Sequence, residues 1–92
     1  MNNVQKIHSN LVKKIKDVEE AMKYWASEMK QNTDEYAKKD MEMRATEDFS
    51  LALELEDEKA FLATRIEECQ LRHFSAACER NILKKQLSYI SQ

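Results

Sequence analysis

Apolar residues in the second half of the chain recur at alternating intervals of three and four. Such spacing places one residue per turn along a single stripe of an α-helix, and here it persists for about five heptads. It predicts a long helix from about residue 47 to 91 that packs lengthwise against other helices. We call this stripe the second seam, and it comprises Ala52, Leu55, Lys59, Leu62, Ile66, Cys69, His73, Ala76, Arg80, Leu83, Leu87 and Ile90.

The first third of the chain carries a similar stripe, which we call the first seam. Its intervals are again three or four residues throughout, and they predict a helix over residues 3–31. Together with the apolar members of the second seam, these residues are the predicted contacts for self-association or a helical partner. The first seam comprises Val4, Ile7, Leu11, Ile15, Val18, Met22, Trp25 and Met29.

The pattern thins between residues 32 and 46, which is where a bend is expected. Asn32 or Thr33 could cap a helix that begins at Asp34, and Thr46 could cap one that begins at Glu47. A further start signal at Thr64 would allow three helices, over residues 3–31, 34–62 and 65–91. Acid-before-base pairs at i,i+4 spacing also allow the middle to be helical, so one uninterrupted helix in a multichain coiled coil is a further alternative.

The predicted fold is therefore all-α, without β-structure: an elongated antiparallel helical hairpin or short helical bundle with coiled-coil seams, forming one domain over residues 1–92. A second apolar flank is displaced around the C-terminal helix from the second seam. Two apolar stripes on one helix indicate contact with more than one neighbour. The flank comprises Leu71, Phe74, Cys78 and Ile82.

Among 92 residues there is no glycine and no proline. Glycine-rich phosphate loops, dinucleotide fingerprints and nucleophile elbows are thereby excluded, and the acidic pairs lie among bases on exposed helical faces. The sequence predicts a non-catalytic protein without a cofactor.

Charge is nearly balanced overall, with 15 Lys and Arg against 17 Asp and Glu, but it is unevenly distributed. The overall balance argues against a nucleic acid partner. In a hairpin bent near Thr46, basic residues at the two ends would lie close together, which supports an alternative function in binding anionic lipid or another polyanion. These residues are Lys6, Lys13, Lys14, Lys16, Lys84 and Lys85.

Cys69 and His73 share one helical face because they are four residues apart. In a parallel dimer, two copies could supply a tetrahedral zinc site, so a zinc-stabilised helical assembly is a second alternative. The competing interpretation is a buried thiol beside a polar seam residue that sets register.

The function predicted from these patterns is that of a self-associating scaffold, adaptor or chaperone-like module that binds partner helices. Met22, Trp25 and Met29 are typical of a plain helical core, although a methionine-rich face can also accept varied partner helices. No apolar run reaches the length of a transmembrane segment or a signal peptide, and the two cysteines do not form a secreted disulfide pattern. An intracellular, cytoplasmic protein is expected.

Overall fold

The computed structural model describes residues 2–91 and contains two α-helices of equal length. Helix α1 spans Asn3–Ala45 and helix α2 spans Phe49–Ser91, each with 43 residues. The helices run antiparallel along their whole length, in a rod that measures 69 × 16 × 14 Å. No strand occurs between residues 2 and 91. The predicted all-α antiparallel hairpin is confirmed.

Helix α1 extends well past residue 31, where the sequence predicted its end. Asn32 and Thr33 do not cap a new helix, since their side chains donate hydrogen bonds to the carbonyls of Glu28 and Met29, one turn earlier. Downstream, ion pairs at i,i+4 spacing join Glu35 to Lys39 and Asp40 to Arg44. The polar middle is thus continuous helix, stabilised by local pairs.

The chain reverses at residues 46–48, the second of the two predicted bend positions. The hydroxyl oxygen of Thr46 accepts a hydrogen bond of 3.1 Å from the backbone N–H of Asp48. The carboxylate of Asp48 in turn accepts one of 3.2 Å from the N–H of Leu51. The capping residue of α2 is therefore Asp48 rather than Thr46, and α2 begins at Phe49 rather than at residue 47.

Two other sequence alternatives do not describe the structure. Thr64 lies inside α2, where its hydroxyl donates to the carbonyl of Ala60, so the chain does not divide there into a third helix. The turn at residues 46–48 likewise excludes one uninterrupted helix.

The helices meet along the two seams. Near the open end of the hairpin, Leu11 and Ile15 pack against Leu83, and half-buried apolar residues surround this cluster. Leu55, Leu62 and Cys69 are buried along the remainder of α2. Because a pair of helices has no third layer, only a narrow stripe of each is removed from water, and the opposite side of each helix stays exposed.

Candidate functional site

The seams that were predicted to bind another chain are occupied within this one. All twelve positions of the second seam are buried or half-buried against α1. In the first seam the same holds for the six residues from Leu11 to Met29. The most regular heptad pattern in the sequence thus closes the hairpin, and a surface for other molecules has to be sought elsewhere.

Val4 and Ile7 are the exceptions in the first seam. Their side chains are 57% and 49% exposed, although the heptad pattern predicted contact. Val4 lies beside Ile90 at the rim of a shallow groove where the ends of α1 and α2 meet. The first turns of α1 therefore contribute little to the core.

A polar layer joins the two helices near the turn. The ammonium group of Lys59 donates a 2.6 Å hydrogen bond to a carboxylate oxygen of Asp40, and it lies 5.1 Å from the ring centre of Tyr36. The adjacent residues form a second pair, in which Lys39 lies 3.0 Å from a carboxylate oxygen of Glu58. These contacts connect α1 to α2 and fix which turn of one helix faces which turn of the other.

The same contacts shift the titration of their members. The hydrogen bond from Lys59 lowers the pKa of Asp40 below its usual value, and the reciprocal interaction raises the pKa of Lys59. Hydrogen bonding to Glu58 raises the pKa of Lys39. Each shift favours the charged form that the cross-helix pair requires.

Farther along the rod, residues at and beside the polar positions of the second seam make different contacts. The guanidinium group of Arg72 lies 5.1 Å from the ring centre of Trp25, which in turn packs edge-to-face against Tyr24. His73 and Arg80 line a groove that also contains Glu19, Met22 and Lys23. Arg72 and Trp25 thus connect the two helices, while the role of His73 and Arg80 in setting register stays a prediction.

The predicted zinc pair, Cys69 and His73, lies in the interface between the two helices. Cys69 is 0% exposed, enclosed by α1 of the same chain, and a second copy could reach it only if the hairpin opened. Within residues 2–91, no cluster of three or more potential metal ligands occurs.

Large apolar side chains line the side of α2 that faces away from α1. Leu71 is 70% exposed, Phe74 68% and Tyr89 77%. We call this stripe the outer face of α2, and it comprises Phe61, Leu71, Phe74, Cys78, Ile82 and Tyr89. Four of these six residues form the predicted second flank. Phe61 and Tyr89 were missed, although both fall in the same heptad register as Ile82.

The corresponding side of α1 is polar. Positions that repeat every seven residues along it are all exposed, and they read Lys6, Lys13, Glu20, Ser27, Asp34 and Met41. Four of the six are charged side chains, which are well solvated and need no protein partner, and Met41 is the apolar exception at 70% exposure. The two outer faces of the hairpin therefore differ in kind.

The hairpin also separates charge along its length. The open end, formed by residues 2–16 and 80–91, contains Lys6, Lys13, Lys14, Lys16, Arg80, Lys84 and Lys85 and no acidic residue. Residues 46–58 at the turn end contain Glu47, Asp48, Glu54, Glu56, Asp57 and Glu58 and no basic residue. The rod is consequently basic at one end and acidic at the other.

Comparisons with known proteins identify no similar protein, so any functional conclusion rests on the exposed surface of the hairpin. No family model matches the chain, and neither a curated protein nor a solved structure matches it significantly. Between residues 2 and 91, neither helix contains a stretch apolar enough to span a bilayer.

Proposed function

We propose that this chain is a non-catalytic helical-hairpin module that binds protein through the outer face of α2, as a scaffold or adaptor. The observation that carries the proposal is the exposure of Phe61, Leu71, Phe74, Ile82 and Tyr89 along one side of a single helix. Scattered apolar residues are normal on a protein surface, whereas apolar residues on successive turns, as from Leu71 to Ile82, are typical of an interaction site.

The stripe has the form that helical partners recognise. Leu71, Phe74, Cys78 and Ile82 follow one another at intervals of three and four, so they lie on successive turns of α2. A partner helix that lies along them would contact each in turn, as in helix-in-groove recognition. Aromatic residues are enriched at the centres of such interfaces, which fits Phe74.

Site-specific photo-crosslinking tests this proposal. A photoreactive amino acid at Phe74 should form covalent protein adducts in cells that produce the chain. The same group at Met41, on the polar outer side of α1, serves as the matched control, since Met41 is 70% exposed. Equal labelling at the two positions, or none at position 74, would contradict the proposal.

A second function, binding to anionic surfaces, is supported by the basic open end. The turn at residues 46–48 brings Lys13 and Lys14 of α1 to the same end of the rod as Lys84 and Lys85 of α2. Each exposed base near an anionic bilayer contributes about 1 kcal/mol to binding, so a cluster can hold a protein at the surface.

Cosedimentation with vesicles rich in phosphatidylserine at low salt tests the second function. Lys13→Glu combined with Lys14→Glu should abolish binding. The combination of Lys30→Glu and Lys38→Glu, which changes net charge equally but lies outside the open end, should preserve it. Wild-type protein that stays in the supernatant would exclude this function.

A further inference from the structure

We infer that the outer face of α2 binds the same face of a second copy of this chain, with the two α2 helices antiparallel. This inference rests on the proposed function, in which the outer face of α2 binds protein, and it identifies that protein as a second copy of the chain. The resulting assembly is a four-helix bundle of two hairpins, in which the two α2 helices form the contact and the two α1 helices lie outside.

The distribution of charge along α2 favours a second copy of the chain as the partner and an antiparallel orientation of the two α2 helices. Along α2, the acidic residues Glu54 and Asp57 precede the outer face, and the basic residues Lys84 and Lys85 lie near its other end, between Ile82 and Tyr89. Leu71 lies midway between Asp57 and Lys85 in the sequence. If two copies of α2 cross antiparallel near Leu71, each acidic segment lies against the basic segment of the other copy.

A parallel pairing would have the opposite effect. It would place Lys84 and Lys85 against their own copies, and Glu54 and Asp57 likewise. Like charges held close together in a partly buried interface are destabilising. The charge pattern along α2 therefore favours the antiparallel arrangement, in which the same two contacts occur twice by two-fold symmetry.

The apolar composition matches the same arrangement. Phe61 lies toward the acidic end of the outer face, Ile82 and Tyr89 toward the basic end, and Leu71 and Phe74 at the centre. Antiparallel crossing near Leu71 brings Phe61 of each copy toward the Cys78–Ile82 segment of the other. Leu71 of each copy then meets Leu71 of the other at the centre, the Phe61 contacts lie on either side, and the pairs of Asp57 with Lys85 lie beyond them.

The exposed area is of the right order for a dimer. An aromatic side chain buries 150–250 Å² when fully covered, so the three aromatic residues of the outer face, each about two-thirds exposed or more, offer roughly 400 Å² per chain. A standard interface removes about 800 Å² per partner. Leu71, Ile82 and the aliphatic parts of the flanking side chains supply the remainder.

The first test is the mass of the full chain by light scattering across a concentration series. The wild type should reach twice the chain mass, and Leu71→Lys should raise the dimer dissociation constant roughly a hundredfold because it places a charge at the two-fold axis. Met41→Lys is the matched control and should leave the constant unchanged. Circular dichroism should show the same helicity for all three proteins, since both substitutions are at exposed positions.

The direction of pairing is tested by charge exchange at low salt. Asp57→Lys and Lys85→Glu should each weaken the dimer about tenfold, since each creates two repulsive contacts. The double variant carrying both substitutions restores opposite charges and should recover near wild-type association. In a parallel dimer, neither single substitution would weaken association and the double variant would recover nothing.

A wild-type chain that is monomeric at every concentration would overturn the inference, as would a dimer that Leu71→Lys leaves intact. So would a Met41→Lys variant that dissociates as much as Leu71→Lys does. Failure of the double variant to recover association would overturn it as well. Photo-crosslinking at Phe74 separates this failure from failure of the proposed function. Adducts with a different protein, formed by a monomeric chain, would contradict self-association and leave the partner-binding proposal standing.

Discussion

The two helices of this hairpin have the same length and share one interface, yet their outer faces are opposite in character. The outer side of α1 carries Lys13, Glu20 and Asp34, whereas that of α2 carries Leu71, Phe74 and Ile82. A helix that needs only one neighbour can be polar on its other side. The difference is the basis for the proposal that α2, and not α1, makes a second contact.

A destabilising substitution on the inner side of α2 should have the largest effect. Leu62 is 9% exposed, so Leu62→Ala should lower the free energy of unfolding by about 2–3 kcal/mol through lost burial and the space left behind. Leu71→Ala, on the outer face of the same helix, should change it by less than about 0.5 kcal/mol in dilute protein, where association is absent. Urea denaturation at low concentration measures both, and similar losses would break the distinction between inner and outer faces.

The capping residues offer a smaller contrast between the helices. Asp48→Ala should cost about 1 kcal/mol, because its carboxylate caps α2 directly after the turn. Asn2 caps α1 through a reciprocal pair of hydrogen bonds with Gln5, of 2.8 and 3.2 Å. Asn2→Ala should cost less, since the neighbouring Val4 and Ile7 are exposed and this end of α1 can fray. Thermal melting of the two variants gives the comparison, and a larger loss at Asn2 would contradict it.

The pair between Asp40 and Lys59 predicts the direction of the pH dependence. The pKa of Asp40 is lowered from 3.8, so the stability it contributes is present above that pH and is lost as the pH falls through the lower folded-state pKa. The pKa of Lys59 is raised from 10.5, so its contribution is present below that pH and is lost as the pH rises through the higher folded-state pKa.

Substitution of each partner should therefore flatten one side of the pH profile. Asp40→Asn should reduce the loss of stability on the acidic side, and Lys59→Met should reduce the loss on the alkaline side. Urea denaturation at a series of pH values measures both. Asp34→Asn, in an exposed position on the outer side of α1, is the control and should leave the profile unchanged. An unchanged acidic side in Asp40→Asn would contradict the role given to this pair.

Heptad spacing alone predicted residues 3–31 of α1, the helix α2 and its seam residues, because a repeat of three and four is a direct consequence of the helical turn. The position of the bend could not be obtained in this way, since Asn32 and Thr46 have equivalent local signals. The length over which the two helices can pack against each other decides between the two bend positions. A turn at residues 46–48 gives two helices of 43 residues that can lie side by side over their whole length, whereas a turn near Asn32 would leave much of the second seam unpaired.

The sequence predicted which residues form most of the candidate site, but it did not predict that their side chains are exposed to solvent. The second flank, from Leu71 to Ile82, was visible as a second apolar stripe, and it indicated additional neighbours. Local sequence could not show whether those neighbours belong to the same chain. The described residues form only two helices, so no third helix of residues 2–91 covers Phe74, and the flank is left as a surface.

Amide chemical shifts recorded by NMR across a dilution series test the central claim most directly, because they report contact at every residue of the intact chain. The account predicts that concentration-dependent shifts cluster around Phe61, Leu71, Phe74 and Ile82, while residues along the outer side of α1, from Lys13 to Asp34, do not change. Shifts centred on α1, or spectra that are independent of concentration, would contradict the assignment of the outer face of α2 as the contact between copies.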